Sequence, residues 1–176
     1  MIIRSDRSIK EGFVRFYWLK ISILIFVIFN SVQLCAQDIS IGGSWELTID
    51  ESDMQSGMIS DLNSTYESPA DQVYATITHP DYGWFGTWYW RVDVSRDNSQ
   101  WHNLLHLDVR RSSGGFGFGS ISGGTSYQEI STATQSFFTG VRNRLWIGFQ
   151  YRLRGVSVSV PAGTYVATVT YTVVEL

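Results

Sequence analysis

Planar aromatic side chains are the residues of this sequence best suited to binding a ligand. Residues 82–90 read Tyr-Gly-Trp-Phe-Gly-Thr-Trp-Tyr-Trp, and another tryptophan follows at position 101. Exposed rings stack on sugar faces, with water excluded from their apolar side. The alternate positions of Trp88 and Trp90 favour the core for that pair, whereas the glycines at 83 and 86 predict a loop. The candidate ligand-binding residues are Trp84, Phe85, Tyr89 and Trp101.

Histidines and carboxylates give weaker signals for a metal site. His102, His106 and Asp108 lie at even spacing, but positions i and i+4 of a strand are ~13 Å apart. We therefore interpret them as the polar face of an amphipathic strand and predict no metal site, with metal binding as the alternative. His79, which precedes Pro80 and Asp81, predicts a turn.

An acidic segment is the second place where a cation could bind. Its carboxylates are suitable ligands for calcium, yet their spacing does not match an EF-hand loop. We expect a solvated acidic loop and no cofactor, and calcium binding stays open as the alternative. The carboxylates are Asp50, Glu51, Asp53 and Asp61.

Catalytic motifs are missing from the sequence. There is no Gly-x-Ser-x-Gly elbow, and the single cysteine is Cys35. The glycines of residues 114–119 lack the Gly-Lys-Ser/Thr ending of a phosphate loop. A pair of carboxylates flanking a sugar cleft is the remaining catalytic alternative. The sequence therefore predicts a protein that is not an enzyme.

The elements that must position these residues are strands, because apolar residues recur at every second position. About seven strands joined by turn-rich segments predict an all-β fold, an antiparallel immunoglobulin-like β-sandwich, with a barrel as its rival. The glycine-rich residues 112–124 are expected to form a mobile loop, and Met54, Met58 and Leu62 to cover one end of the core. The predicted strands are residues 44–49, 72–78, 87–95, 103–110, 144–154, 156–160 and 164–174.

The first 36 residues have the order of a secretory signal peptide: a basic region, a short apolar run and a small-residue end at Ala36. Leu34 before Cys35 argues against a lipoprotein. We expect a signal peptide over residues 1–36, cleavage after Ala36, and one exported domain over residues 37–176. That domain has eight arginines, no lysine and 14 acidic residues, a charge of about −6. This charge argues against nucleic acid and anionic lipid as partners.

Two short segments resemble known families. The run Pro-Ala-Gly-Thr-Tyr at residues 161–165, with the alternating Thr/Val strand after it, resembles the closing strand of secreted spore-coat-U-like pilin domains. Trp45-Glu46-Leu47, with a late strand around Tyr165, is similar to the WxL domains of bacterial cell walls. These resemblances imply an immunoglobulin-like sandwich in a bacterial surface or appendage protein.

Two functions follow as hypotheses. The first is a non-catalytic, exported surface or appendage protein, fimbrial or coat-like, that acts in adhesion or assembly through contacts with itself or with other surface proteins. In a pilin, a missing strand would be supplied by a neighbour, and residues 38–41 are the available donor segment. The alternative is a secreted carbohydrate-binding module that binds a glycan through exposed aromatic rings.

Overall fold

The computed structural model describes residues 2–5, 38–50 and 62–176, with side chains from residue 38 onward. These residues form twelve strands and no helix, so the all-β prediction is confirmed. The strands are β1 (Ile2–Ser5), β2 (Asp38–Gly42), β3 (Trp45–Glu46), β4 (Thr65–Glu67), β5 (Val73–Thr78), β6 (Tyr89–Arg96), β7 (His106–Arg111), β8 (Ile121–Gly123), β9 (Gln128–Glu129), β10 (Gln135–Val141), β11 (Arg144–Arg154) and β12 (Val166–Glu175).

The strands form two sheets of six. The first has the order β3-β1-β12-β6-β10-β8. The second has the order β2-β5-β11-β7-β9, and β4 pairs with the far end of β11. All described pairings are antiparallel except that of β1 with β12, which is parallel.

The inward faces of the two sheets share one core. The apolar residues at every second position of β6 and β11 are buried, as the period-two pattern of the sequence predicts: Trp90, Val92, Val94, Ile147, Phe149, Tyr151 and Leu153. Some polar residues between them, such as Asp93 and Gln150, are buried as well. The largest fully buried side chains include Trp90, Phe149 and Tyr151. Trp88 is also buried, so the placement of the tryptophan pair in the core is confirmed.

Two sequence-based expectations about strands need correction, and the seven-residue strand β10 was not predicted. No strand covers residues 156–160: the chain turns at Gly155, which has φ +80°, and Val158 is exposed. The strand predicted over residues 44–49 is only the two-residue β3. Strand β10, by contrast, was not predicted, because Phe137 and Phe138 are adjacent and both buried at a β-bulge that breaks the alternation.

The expected leader lies outside the described residues, apart from Ile2–Ser5, whose backbone forms β1 between β3 and β12. Its cleavage after Ala36 stays a prediction. Most of the acidic segment is also outside the described residues, including Met54 and Met58. Leu62 does pack against the core, as expected.

Candidate functional site

The buried side chain of Asn143 fixes the loop that presents Trp84 and Phe85. Its Oδ1 accepts hydrogen bonds from the backbone N–H of His79 and from Nε1 of Trp88, both at 3.0 Å. Its Nδ2 donates to the carbonyl of Gly83 at 2.8 Å. One amide thus joins the β5–β6 loop to the turn between β10 and β11. The His79-Pro80-Asp81 segment is part of this loop and forms the expected turn.

The β10–β11 turn is itself held by the core tryptophans. This turn, Arg142–Asn143, carries the chain from the first sheet to the second. The Nε1 of Trp90 donates to the carbonyl of Arg142 at 2.8 Å, and the N–H of Arg142 donates to the carbonyl of Trp88 at 2.9 Å. The turn and the loop therefore form one braced end of the sandwich.

The glycine-rich segment packs along this same end instead of standing free. Phe116 and Leu145 exchange two backbone hydrogen bonds, at 2.7 and 2.8 Å. A Cβ at Gly115 would lie 2.2 Å from the Leu145 carbonyl oxygen, and one at Gly119 would lie 2.4 Å from that of Val141. Only glycine permits so close a backbone approach. The expectation of a mobile loop is corrected: these residues are hydrogen-bonded to β11.

This packing leaves several aromatic side chains exposed at this end of the sandwich, and we call them together the ring face. Phe85 is 74% exposed and Phe118 51% exposed, yet their ring centroids are only 5.3 Å apart. The contact joins the β5–β6 loop to the glycine-rich segment, although the two are far apart in sequence. The ring face consists of Trp84, Phe85, Phe116, Phe118 and Trp146, all exposed.

Trp146 has an unusual backbone. It has φ +54°, a left-handed conformation that is rare for a bulky residue, and it lies at a bulge where β11 shifts register against β5. Its N–H donates to Oγ1 of Thr76 at 3.3 Å, and its side chain is 63% exposed. Strained residues of this kind cluster at functional sites.

Three arginines, Arg111, Arg142 and Arg144, contact the glycine-rich segment that carries Phe116 and Phe118. Within the described part of the chain, Arg111, Arg142 and Arg144 form no ion pair, while Arg91, Arg152 and Arg154 all do. Arg144 donates to the Gly117 carbonyl at 2.6 Å. Burial lowers the pKa of Arg111, and the nearby charge of Arg144 lowers it further.

The structure separates the four ring residues predicted from the sequence. Trp84 and Phe85 lie together on the ring face. Tyr89 is exposed on the outward side of β6, where it alternates with the core residue Trp90. Trp101 is only 8% exposed, because its ring folds inward and its Nε1 donates to the Leu105 carbonyl. Trp101 is therefore removed from the candidate site.

The sequence did not identify Phe116, Phe118 or Trp146. The glycines at 115, 117 and 119 were the available signal, because they allow the backbone of this segment to lie close to residues 141–147. Regular alternation along residues 144–154 already assigns Trp146 to the outward face, but nothing in the sequence connects it with the β5–β6 loop.

The polar side chains of the His102–Asp108 segment form hydrogen bonds and ion pairs. Nδ1 of His106 lies 2.8 Å from a carboxylate oxygen of Glu129. Asp108 is buried and accepts hydrogen bonds from Arg152 and Arg154, at 2.8 and 2.6 Å from their Nε atoms. Burial alone raises the pKa of Asp108, but the two guanidinium groups outweigh it and hold that pKa below its ordinary value.

No group of three metal-ligating side chains occurs within residues 38–50 and 62–176. Of the acidic segment, Asp50 belongs to the described residues. Glu51, Asp53 and Asp61 lie outside them, so calcium binding there stays a sequence-based alternative.

A cavity of about 290 Å³ lies at the opposite end of the sandwich. Its walls are mainly apolar and include Leu105, Leu153 and Val156, and none of its described lining residues is charged. The Tyr165 hydroxyl at its edge donates to the Pro161 carbonyl at 2.6 Å. The cavity therefore presents few polar groups that could orient a ligand, which makes the ring face the better candidate.

Comparison with known proteins found no match: no family model, no curated protein and no solved structure matches this chain. In the described ranges there is also no helix with the length and apolar character to cross a bilayer.

Proposed function

We propose that this chain is an exported, non-catalytic surface or appendage protein with an immunoglobulin-like sandwich, and that it acts by accepting a strand from a protein partner. The observation that carries the proposal is the position of β1. Its backbone fills the space between β3 and β12, and it belongs to the segment expected to be removed as a leader.

Loss of β1 would leave a strand-wide slot in the first sheet. Ile2 and Ile3 pair with Glu46 and Trp45 of β3 on one side, and the whole of β1 pairs with residues 166–169 on the other. Neighbouring strands are ~4.8 Å apart, so β3 and β12 would be separated by roughly 10 Å of unfilled sheet. An edge with unpaired N–H and C=O groups is a template for another strand.

The hydrogen bonds of β12 indicate which of its backbone groups face the slot. The N–H and C=O of Thr168 both bond to Asp97, on the side of β6. Because successive residues of a strand direct their backbone groups to opposite sides, those of Ala167 and Val169 face β1. These two residues would meet the incoming strand.

The donor predicted from the sequence is already in use. Residues 38–41 belong to β2, which pairs along its whole length with β5 of the same chain. The slot is therefore a site for a segment of another molecule, either a different surface protein or an extended segment of a second copy.

A peptide competition experiment tests this function. The full chain would be produced in an exporting bacterial host, and its N-terminus determined by mass spectrometry. A fluorescent peptide of residues 1–10 should bind the exported form, since its backbone can pair with β12 and β3. The same peptide with Ile3→Pro and Arg4→Pro should bind at least tenfold more weakly, because proline removes ladder N–H groups.

Three results would contradict the proposal. They are an exported protein that still begins at Met1, an exported form that does not bind the peptide, and equal affinity for the peptide and its proline variant. Self-association in size-exclusion chromatography that the unmodified peptide abolishes, and the proline variant does not, would support a second copy as the donor.

A further inference from the structure

We infer that the ring face binds a polysaccharide whose sugars carry carboxylate groups. This site is independent of the proposed strand slot: it lies on the β5–β6 loop, the glycine-rich segment and the start of β11, and it involves neither β3 nor β12.

The rings offer apolar surface that is not buried in the core of the fold. Phe85 and Phe118 contact each other at 5.3 Å while both remain more than half exposed. Large exposed apolar side chains that cluster in this way mark interaction sites. Aromatic rings suit sugars because a pyranose has an apolar C–H face of similar width and a hydroxylated edge that stays in water.

The charge next to the rings favours an anionic ligand. The segment that holds Phe118 packs on two arginines: a Cβ at Gly119 would lie 3.4 Å from Cβ of Arg142, and one at Gly117 would lie 3.2 Å from Cδ of Arg144. Neither arginine has an ion-pair partner among the described residues. In a domain with almost twice as many acidic as basic residues, two uncompensated guanidinium groups beside exposed rings are a local positive site. Guanidinium groups bind carboxylates in a bidentate geometry.

The support is rigid, which favours binding without a large entropic cost. Asn143 fixes the loop that carries Phe85, and the backbone pair between Phe116 and Leu145 fixes the segment that carries Phe118. A backbone already held in place loses little freedom when a ligand binds. A polysaccharide with uronic acid residues supplies both the apolar sugar faces and the carboxylates that this surface fits.

Affinity measurements with polygalacturonate, dextran and poly-glutamate test the inference. The full chain should bind polygalacturonate, with an affinity that falls as salt is raised, because charge contributes to it. Dextran lacks the carboxylates and poly-glutamate lacks the sugar faces, so both should bind at least tenfold more weakly. Phe118→Ala and Arg142→Gln should each reduce the affinity for polygalacturonate at least tenfold.

Leu104→Ala is the matched control, since Leu104 is an exposed apolar residue of the β6–β7 loop, at the other end of the sandwich. It should leave the affinity unchanged, and all variants should keep the wild-type unfolding temperature. The inference is overturned by a failure to bind polygalacturonate, or by equal binding of poly-glutamate. It is also overturned if Phe118→Ala abolishes self-association without changing polysaccharide binding, since the ring face would then be a contact between copies.

Discussion

A hydrogen bond between two buried tyrosines connects the two sheets, and its removal should be measurable. The hydroxyls of Tyr151 on β11 and Tyr171 on β12 lie 2.7 Å apart inside the core. Burial raises the pKa of both phenols well above the ordinary value, so both stay neutral at physiological pH. Each hydroxyl therefore depends on the other as its hydrogen-bond partner.

Replacing one tyrosine with phenylalanine should lower the free energy of unfolding by more than half of the loss caused by replacing both. Tyr171→Phe keeps the ring and its packing on Phe149, whose centroid is 4.9 Å away, but leaves the Tyr151 hydroxyl buried and unpaired. An unsatisfied buried hydroxyl costs about 1–3 kcal/mol, so we expect a loss of about 2 kcal/mol in the free energy of unfolding. For a domain of this size that corresponds to roughly 6 °C in Tm. The double variant removes both polar groups and should lose less than the sum of the single losses.

Urea unfolding monitored by tryptophan fluorescence would measure all three variants. Tyr74→Phe serves as the control, because Tyr74 is an exposed tyrosine on β5, and it should change stability by less than about 0.5 kcal/mol. Single variants as stable as the wild type would refute the reasoning. Strictly additive losses would refute it as well, because they would mean that the two hydroxyls do not act as a pair.

Two further predictions concern buried polar groups. Asp108→Asn should destabilise the protein by about 3 kcal/mol at pH 7, because it leaves two guanidinium groups without their buried partner. The pKa of Asp108 is lowered in the folded state, so the carboxylate stabilises the fold above about pH 4, and this contribution is lost as the pH falls further. The urea midpoint should therefore change less between pH 7 and pH 3 for Asp108→Asn than for the wild type. Asn143→Ala should lower the free energy of unfolding by about 2 kcal/mol and speed amide exchange at residues 83–86, because the β5–β6 loop loses its hydrogen bonds to Asn143. Unchanged exchange at these residues, or an equal effect of Asn103→Ala at an exposed asparagine, would contradict this role.

The sequence predicted the fold where alternation is regular and failed where the backbone departs from it. Strand β11 has the predicted bounds, because its inward residues keep a period of two over most of its length. Strand β10 was missed at its bulge, where two phenylalanines in succession enter the core. A bulge changes which side chains face inward, and it depends on pairing with strands distant in sequence.

Prediction of the candidate site was limited in the same way, because the exposure of a side chain also depends on how the backbone folds. The exposure of Trp84 and Phe85 was predicted from the neighbouring glycines, which indicate a loop, and both side chains are exposed. Trp101 was misplaced, since its burial depends on a local fold-back that ends in a hydrogen bond to Leu105. Phe118 was missed because a glycine-rich composition indicates mobility when read alone, and only the packing on residues 141–145 shows that these glycines permit close contact.

Amide hydrogen exchange in β12 tests the central claim, that this protein accepts a strand beside β12, most directly. In the exported chain without residues 1–36, the amides of Ala167 and Val169 should exchange fast, whereas Thr168, bonded to Asp97, should stay protected. Addition of the peptide of residues 1–10 should protect both exposed amides. Protection at Ala167 and Val169 without the peptide, or exchange that the peptide does not slow, would contradict the account.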